Sequence, residues 1–557
     1  MMRAPVILLA LLAAGCAPSA PPPEPEAPRA PLPRTRAERT QYLETSHYAD
    51  VIAFLDSLHA AGAPQWTSIG TTTEGRAIPF LVLSRPLVHT PDEARRLGRP
   101  IVYVQANIHA GEVEGKEALL ALVRDLWFAA GPNVLDSVVL LANPIYNADG
   151  NERFAPQAKN REEQNGPELV GQRANAQGFD LNRDYVKAEA PETRASLAAF
   201  TRWDPDVFVD LHTTDGSFHG YALTYSPSLN PAALFGGVYA RDSLLPELRR
   251  RVRERDHFET FDYGNFERSY DSDTSLRGPR AWYTYEPYPR YGTNYFGLRG
   301  GIAVLSEAYS HDPFERRVRA TYAFVRELLS LVAERSAQIR ALRARADSSV
   351  AQWAANPAAA PRIPLRSEMT RHPLREPVTY EDLERTGDSS LTQPGVPRGW
   401  RRTGRFHTVE MDVYDRFDPT LARRLPMAYV LDAADSAAVH VLREHGVTVE
   451  RVSSDWSATV ERFTIDSIVR APRPFQGHRL VTLAGRWSTD QRTIPAGAWV
   501  VRAGQPQGIV AYYLLEPESD DGLVTWNFFD ARLAPGGDYP VLRVVASTST
   551  APVGEAH

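Results

Sequence analysis

The chain has 557 residues, of which 43% are hydrophobic and 23% are charged. This composition provides a buried core for roughly two or three ordinary domains and excludes a disordered chain or a small disulfide scaffold. The net charge is only −6, from 62 basic and 68 acidic residues. Because no long basic tract is available to neutralise phosphates, we expect no nucleic-acid partner.

The N-terminal residues predict export. Arg3 precedes an apolar run over residues 5–14, which is too short to span a bilayer. Residues 11–16 resemble a bacterial lipoprotein signal, which implies a signal peptide over residues 1–15 and a lipid on Cys16 that anchors the protein to a membrane, facing the periplasm or the exterior. The alternative is a cleaved secretory peptide with an incidental cysteine. Cys16 is the sole cysteine of the chain, so no intrachain disulfide can form.

A tether and an α/β region follow. Residues 17–34 include eight prolines, which predict an extended tether within residues 16–40. Short apolar runs then alternate with helical patterns over residues 41–345. The predicted strands are 77–84, 100–108, 138–142, 207–211 and 302–306, and the predicted helices are 48–60, 112–129, 190–202 and 313–345. Buried strands interleaved with helices favour an α/β sandwich around a largely parallel or mixed sheet.

The rest of the chain has a different composition and a different hydrophobic pattern. Residues 346–402 are rich in Pro, Ala, Arg and Ser and lack a sustained period, so they are predicted to form a linker. Beyond them, short strands around one helix at 436–445 continue to about residue 545. This pattern predicts a separate, mostly β domain over residues 403–557, to which the sequence assigns no function.

Three polar residues stand where predicted buried strands end, namely His109, His212 and Glu307. Ligands of open α/β sheets bind beyond the carboxyl ends of the strands, so we expect these side chains to converge. Glu112 can reach the same cation as His109 if Gly111 lets the chain turn. Two imidazoles and one carboxylate form a ligand set of catalytic zinc sites.

The His-x-x-Glu spacing is weak evidence by itself, since the chain has 14 histidines. A second copy joins His407 to Glu410 inside an alternating strand, where residues three apart face opposite sides, and it is not predicted to bind metal. Taken alone, Glu112 could instead be a carboxylate that favours a helix N-terminus, and His212 an ordinary core or surface histidine.

The order of several motifs is more specific. The motifs are Thr73-Glu74-Gly75-Arg76, His109-Ala110-Gly111-Glu112, Asn147-Ala148-Asp149-Gly150, Asp180-Leu181-Asn182-Arg183, Pro191-Glu192-Thr193, Asp210-Leu211-His212 and Ser306-Glu307. Over residues 45–345 the chain thereby resembles the zinc carboxypeptidase family of the carboxypeptidase A type, as an exported bacterial member. The resemblance implies an eight-stranded mixed sheet sandwiched by helices, here followed by the smaller, mostly β domain.

The resemblance also implies the roles of the central residues. His109, Glu112 and His212 would bind one Zn²⁺ per chain. Glu307 would be the general base for a zinc-activated water and would pass the proton to the leaving amine, because zinc lowers the pKa of its water and a nearby carboxylate can accept the proton.

Substrate contacts are implied in the same way. Asn182 and Arg183 would hold the terminal carboxylate, to which a guanidinium donates two parallel hydrogen bonds. Asp180 would orient His109. For the arginine that steadies the oxyanion, Arg173 is chosen ahead of Arg161.

Two further assignments concern tyrosine and histidine side chains. Tyr295 is chosen as the family's mobile tyrosine. Its competitors are Tyr283, Tyr285, Tyr288 and Tyr291. His219 and His311 are expected to be solvated loop residues outside the metal shell.

The predicted function is hydrolysis of C-terminal peptide bonds by an exported metallocarboxypeptidase whose substrate carries a free carboxylate. Two alternatives use the same fold and ligands: an amidase of peptidoglycan stem peptides and a deacylase of N-acyl amino acids. A third is an inactive, tethered peptide-binding lipoprotein. The presence of all three ligands and Glu307 argues against that third reading.

Overall fold

The computed structural model describes residues 31–267, 279–393, 396 and 398–553. The predicted signal peptide and Cys16 lie outside the described residues. Of the predicted tether, only the last part is described, and it contains a short helix at Arg36–Arg39. Among the described helices, none combines the length and apolar character needed to cross a bilayer.

The first part of the chain is built on an eight-stranded mixed sheet. The strands of this part are β1 (Thr67–Thr71), β2 (Ala77–Leu83), β3 (Ile101–Ala106), β4 (Val139–Asn143), β5 (Ala155–Pro156), β6 (Leu169–Val170), β7 (Val207–Thr213), β8 (Leu223–Pro227), β9 (Thr260–Asp262), β10 (Asn265–Phe266), β11 (Ala281–Tyr283) and β12 (Ile302–Ala308). The sheet has the order β1-β2-β4-β3-β7-β12-β8-β9. Its centre, from β4 through β3 and β7 to β12, is parallel. This confirms the predicted α/β fold with a mixed sheet.

Helices cover both faces of this sheet. They are α1 (Arg36–Arg39), α2 (Tyr48–Ala60), α3 (Pro91–Leu97), α4 (Glu114–Phe128), α5 (Ala148–Asn151), α6 (Gln157–Asn160), α7 (Pro191–Trp203), α8 (Gly236–Tyr239), α9 (Leu245–Asp256), α10 (Gly292–Leu298), α11 (Phe314–Glu334) and α12 (Ser336–Ala355). Alternate residues of β3 enter two separate apolar clusters, Tyr103 in one and Val104 in the other. Because both faces are packed, the central strands are apolar at nearly every position rather than alternating.

The predicted single helix over residues 313–345 is wrong in its extent. Two helices, α11 and α12, meet at Arg335, whose backbone departs from helical geometry (φ −100°, ψ 16°). No proline or glycine marks this break. Instead, α12 turns toward the C-terminal region, where Ala354 and Val350 enter a cluster shared with Ile509. Tertiary packing therefore decides where the helix breaks.

The C-terminal part is mostly β, as predicted. Its elements are β13 (Arg362–Thr370), β14 (Glu376–Arg385), β15 (Trp400–Tyr414), β16 (Arg416–Arg424), β17 (Ala428–Leu431), α13 (Ser436–Glu444), β18 (Glu450–Arg451), β19 (Trp456–Arg470), β20 (Val481–Ile494), β21 (Trp499–Arg502), α14 (Gly508–Leu515) and β22 (Leu542–Ala546). Six of these strands form one sheet in the order β18-β21-β17-β22-β19-β20.

The segment predicted as a linker, residues 346–402, contains regular structure. It includes the end of α12 and the strands β13 and β14. β14 pairs with β15 and β13 pairs with β16, so their partners come from further along the chain. Such ribbons depend on pairing more than on an apolar face, which explains why the sequence pattern missed them. The domain boundaries themselves remain a prediction.

The two parts of the chain share a core. One cluster of buried residues contains Tyr295 and Phe296 from α10 together with Tyr429, Val439 and Trp526 from the C-terminal region. Burial of this apolar surface favours a fixed contact between the two parts.

Candidate metal centre and active site

His109, Glu112 and His212 meet at one point. The Nδ1 atoms of His109 and His212 each lie 3.0 Å from a different oxygen of Glu112, and they are 3.3 Å from one another. All three residues are buried, with 3%, 2% and 3% of their surface exposed. A tetrahedral ion with bonds of about 2.0–2.1 Å has ligand-to-ligand edges of about 3.3–3.4 Å, so the donor set fits a single zinc ion.

The chain reaches this geometry through a loop between β3 and α4. β3 ends at Ala106, before His109, and Asn107 adopts a positive φ of 68° at the turn. Gly111 allows the loop backbone to pack closely against Arg161, since an added Cβ would lie 2.7 Å from the Arg161 Cγ. Glu112 therefore precedes α4 rather than beginning it, which corrects the predicted helix start at residue 112.

The ring nitrogens that face away from the cluster meet carboxylates. His109 Nε2 lies 3.0 Å from an Asp180 oxygen, and His212 Nε2 lies 3.1 Å from an Asp210 oxygen. Carboxylates at these positions fix the tautomer of a ligating imidazole and raise its basicity. Sequence reasoning assigned a role to Asp180 but none to Asp210. Its position two residues before His212 on the same strand, and hence on the same face, is the signal that could have revealed it.

The electrostatics of the cluster favour cation binding. Burial raises the pKa of Glu112, but the charges of His109 and Arg161 outweigh it, and the pKa falls well below its usual range. Burial lowers the pKa of His212, whereas Asp210 and Glu112 raise it well above normal overall. The carboxylates around the two imidazoles therefore favour a cation at this point.

Glu307 lies beside the cluster. It pairs in register with His212 across the parallel strands β12 and β7. Burial raises its pKa well above normal, with Glu112 adding to the effect and the charge of His212 opposing it. A carboxylate with a raised pKa is a stronger proton acceptor than an exposed one, which suits a general base.

These residues open into one cavity of about 160 Å³. Its lining includes the three cluster residues, Glu307, Arg173, Asn182 and Arg183. The Arg183 guanidinium lies over the Tyr291 ring at 4.3 Å and donates to the Asn182 carbonyl. Among the described residues, its closest carboxylate oxygen, on Asp180, is 3.9 Å away. Arg183 can therefore donate hydrogen bonds to an anion that enters the cavity.

Comparison with known proteins agrees with this site. Residues 51–235, which include the three cluster residues and the Asn182–Arg183 pair, match the model of the zinc carboxypeptidase family. Residues 51–235, which contain the candidate metal ligands, are thus similar to the zinc carboxypeptidase family.

Relatives named as carboxypeptidases cover different shares of the chain. Carboxypeptidase 2 of Trichophyton rubrum is 20% identical over 508 residues, which are 85% of this chain and 81% of the relative. Carboxypeptidase D of Mus musculus is 28% identical over 228 residues, which are 35% of this chain and 16% of the relative. A metallo-carboxypeptidase structure from Burkholderia cenocepacia is 19% identical, with a TM-score of 0.38, over 52% of this chain and 70% of that one.

The two arginines considered for the oxyanion differ in position. Arg173 lines the cavity, with its Nε 2.9 Å from Asp180 and its Nη1 3.5 Å from Glu112. Arg161 is buried behind the cluster, where it contacts Glu112 and donates to the Thr213 carbonyl. Of the two arginines, Arg173 therefore faces the cavity and Arg161 does not line it.

The choice of Tyr295 as the mobile tyrosine is not supported. Its hydroxyl lies 2.8 Å from His445 Nδ1 of the C-terminal region, and the residue is only 1% exposed. Helix α10 directs it into the shared core, away from the cavity. Of the predicted competitors, Tyr285 and Tyr291 line the cavity, and Tyr263, which sequence reasoning missed, lines it as well.

His219 and His311 are not solvated, contrary to expectation. Both are buried, and His311 stacks on Phe218 with ring centroids 4.2 Å apart. Burial, together with the charge of His311, lowers the pKa of His219 to about 3. Neither residue belongs to the three-residue group His109, Glu112 and His212, which among the described residues is the one able to hold a metal ion.

Proposed function

We propose that this protein is a zinc-dependent carboxypeptidase that hydrolyses the C-terminal bond of peptides. The observation that carries the proposal is the shared cavity, which joins the His109–Glu112–His212 cluster to Glu307 and to Arg183 in a chain similar to the zinc carboxypeptidase family. One ion per chain agrees with the single cluster among the described residues.

The residues that line the cavity have separate roles in the reaction. Arg183 and Asn182 bind the free carboxylate of the substrate, which places the last peptide bond beside the metal cluster. His109, Glu112 and His212 would hold the zinc ion, which would supply Lewis acidity and lower the pKa of water at the site. Glu307 accepts the proton of the attacking water and delivers it to the leaving amine. Arg173 faces the same space and stabilises negative charge that develops on the carbonyl oxygen.

Digestion of a synthetic peptide library, followed by mass spectrometry, tests this function. We expect products shortened by single C-terminal residues, no product after treatment with a chelator, and recovery when zinc is added back. Peptides with an amidated C-terminus should resist cleavage, because the amide cannot form the charge-assisted pair with Arg183.

Three other outcomes would contradict the proposal. Cleavage of peptidoglycan stem peptides alone would favour the amidase alternative. Release of amino acids from N-acyl derivatives alone would favour the deacylase alternative. Peptide binding without turnover in zinc-loaded protein would indicate a binding protein.

We further propose that the protein is exported and anchored through a lipid on Cys16. This rests on the apolar run over residues 5–14 and on the position of the sole cysteine. The proline-rich residues 17–34 would then hold the enzyme away from the membrane.

Expression in a bacterial host with mass spectrometry of the mature N-terminus checks this anchor. The wild-type protein should sediment with membranes and carry acyl chains on Cys16, whereas a Cys16→Ser variant should lose both. A soluble wild-type protein with an unmodified Cys16 would indicate an ordinary secretory peptide.

A further inference from the structure

The C-terminal region contacts the segment that supports Asn182 and Arg183, the predicted carboxylate-binding residues. The buried Asp521 accepts hydrogen bonds from the Arg290 backbone N–H at 2.8 Å and from its Nε at 3.0 Å. The Trp526 indole donates to the same carboxylate at 2.9 Å. The Arg290 guanidinium also lies over the Trp526 ring at 4.9 Å and over the Phe475 ring at 5.3 Å. Within the C-terminal region, Arg290 therefore contacts one carboxylate, through its backbone and its side chain, and two aromatic rings.

The residues that follow Arg290 set the position of the Asn182–Arg183 pair. Tyr291, the next residue, carries the ring beneath the Arg183 guanidinium. Gly292 donates its backbone N–H to the Asn182 side-chain oxygen at 2.9 Å. A displacement of residue 290 would thus move both supports of the pair.

A second contact reaches the same wall of the cavity. The turn between β19 and β20 presents Gln476, whose side-chain oxygen accepts the Asp180 backbone N–H at 3.2 Å. This turn is specified by positive φ angles at Gln476 and Gly477, of 50° and 82°. Asp180 in turn contacts His109 and Arg173.

From these contacts we propose that Asp521 and Gln476 are positioning residues, through which the C-terminal region holds Asn182 and Arg183 in the geometry that recognises a substrate carboxylate. The inference rests on the proposed carboxypeptidase function and gives the C-terminal region a role in it. Neither residue lines the cavity, so both act through Arg290 and Asp180 rather than on the substrate. A displacement of about 1 Å in such side chains weakens a site, because their role is to hold the substrate in one geometry.

An Asp521→Asn substitution tests the proposal. Asparagine keeps the size of the side chain but removes the charge that pairs with Arg290. We expect KM for a peptide with a free C-terminus to rise about tenfold, with kcat within about threefold of wild type, because Glu307 and the metal cluster are not contacted. Gln476→Ala should change KM in the same direction by about threefold, and this variant should fold because Gln476 lies in a partly exposed turn.

A binding measurement separates positioning from general loss of structure. In a Glu307→Gln background, calorimetry compares a peptide with a free C-terminus to the same peptide with an amidated C-terminus. Asp521→Asn should weaken binding of the free acid about tenfold and leave binding of the amide unchanged. Asp538→Asn is the matched control, since it removes an exposed ion pair with Arg462 in the same region, and it should change neither value.

Different outcomes would contradict the carboxypeptidase function and the positioning role of Asp521 and Gln476. If the Glu307→Gln protein does not discriminate between acid and amide, the proposed carboxypeptidase function fails. If it discriminates and both Asp521→Asn and Gln476→Ala preserve the full discrimination, the positioning role is wrong. Should Asp521→Asn fail to fold by circular dichroism, Gln476→Ala decides alone.

Discussion

Replacing Glu307 with glutamine is expected to lower kcat for peptide hydrolysis by about 10²–10⁴-fold, the usual contribution of a positioned general base. Glutamine preserves the shape of the side chain but cannot accept the proton of the attacking water. KM and zinc content should stay near wild type, because Glu307 is not one of the three cluster residues. Steady-state kinetics on a free-acid peptide, with metal analysis of the same preparation, measure all three quantities.

Glu315→Gln is the control for this result. Glu315 lies near the start of α11, pairs with Arg319 on the surface and should tolerate the change. A Glu307→Gln enzyme that keeps more than about half of the wild-type kcat would exclude Glu307 as the base.

Replacing His212 with glutamine should remove most of the bound zinc and with it the activity. The substitution takes away one of three protein ligands and leaves Asp210 without its imidazole partner. Loss of an outer carboxylate costs about 10–100-fold in metal affinity, so loss of a ligand should cost at least about 100-fold and Asp180→Asn should fall in the smaller range. Competition with a chelator of known affinity gives both values.

The matched control for the metal is His407→Gln. His407 belongs to the second His-x-x-Glu motif, but it is half exposed on β15 and contacts Asp382. Its replacement should leave zinc affinity and activity unchanged. Full zinc content in the His212→Gln protein, or zinc loss in the His407→Gln protein, would overturn the assignment of the cluster.

The candidate site could be predicted largely because its chemistry demands particular residue types at strand ends. His212 and Glu307 were expected to converge since parallel strands share one carboxyl edge, and the structure places them in register on β7 and β12. His109 and Glu112 lie three residues apart, so a local turn is enough to bring their side chains together. Each of these four residues could therefore be placed either from its neighbours in the sequence or from the arrangement of parallel strands.

Other features could not be predicted because they depend on distant parts of the chain. Five tyrosines that precede Glu307 were candidates for the mobile tyrosine. Tyr295 lies in the core instead, where it contacts His445, 150 residues away in the sequence. The break at Arg335 and the strands β13 and β14 likewise depend on partners from the C-terminal region.

The sequence by itself therefore predicted the fold class, the candidate metal ligands and the candidate base, because apolar runs interleaved with helical patterns, and the residue types that can bind a metal, are visible in single segments. Only the tertiary structure decided which tyrosines line the cavity, which arginine faces it, and that Asp521 and Gln476 contact Arg290 and Asp180 beside it. Those outcomes depend on how two surfaces far apart in the chain pack together, and no single segment encodes that packing.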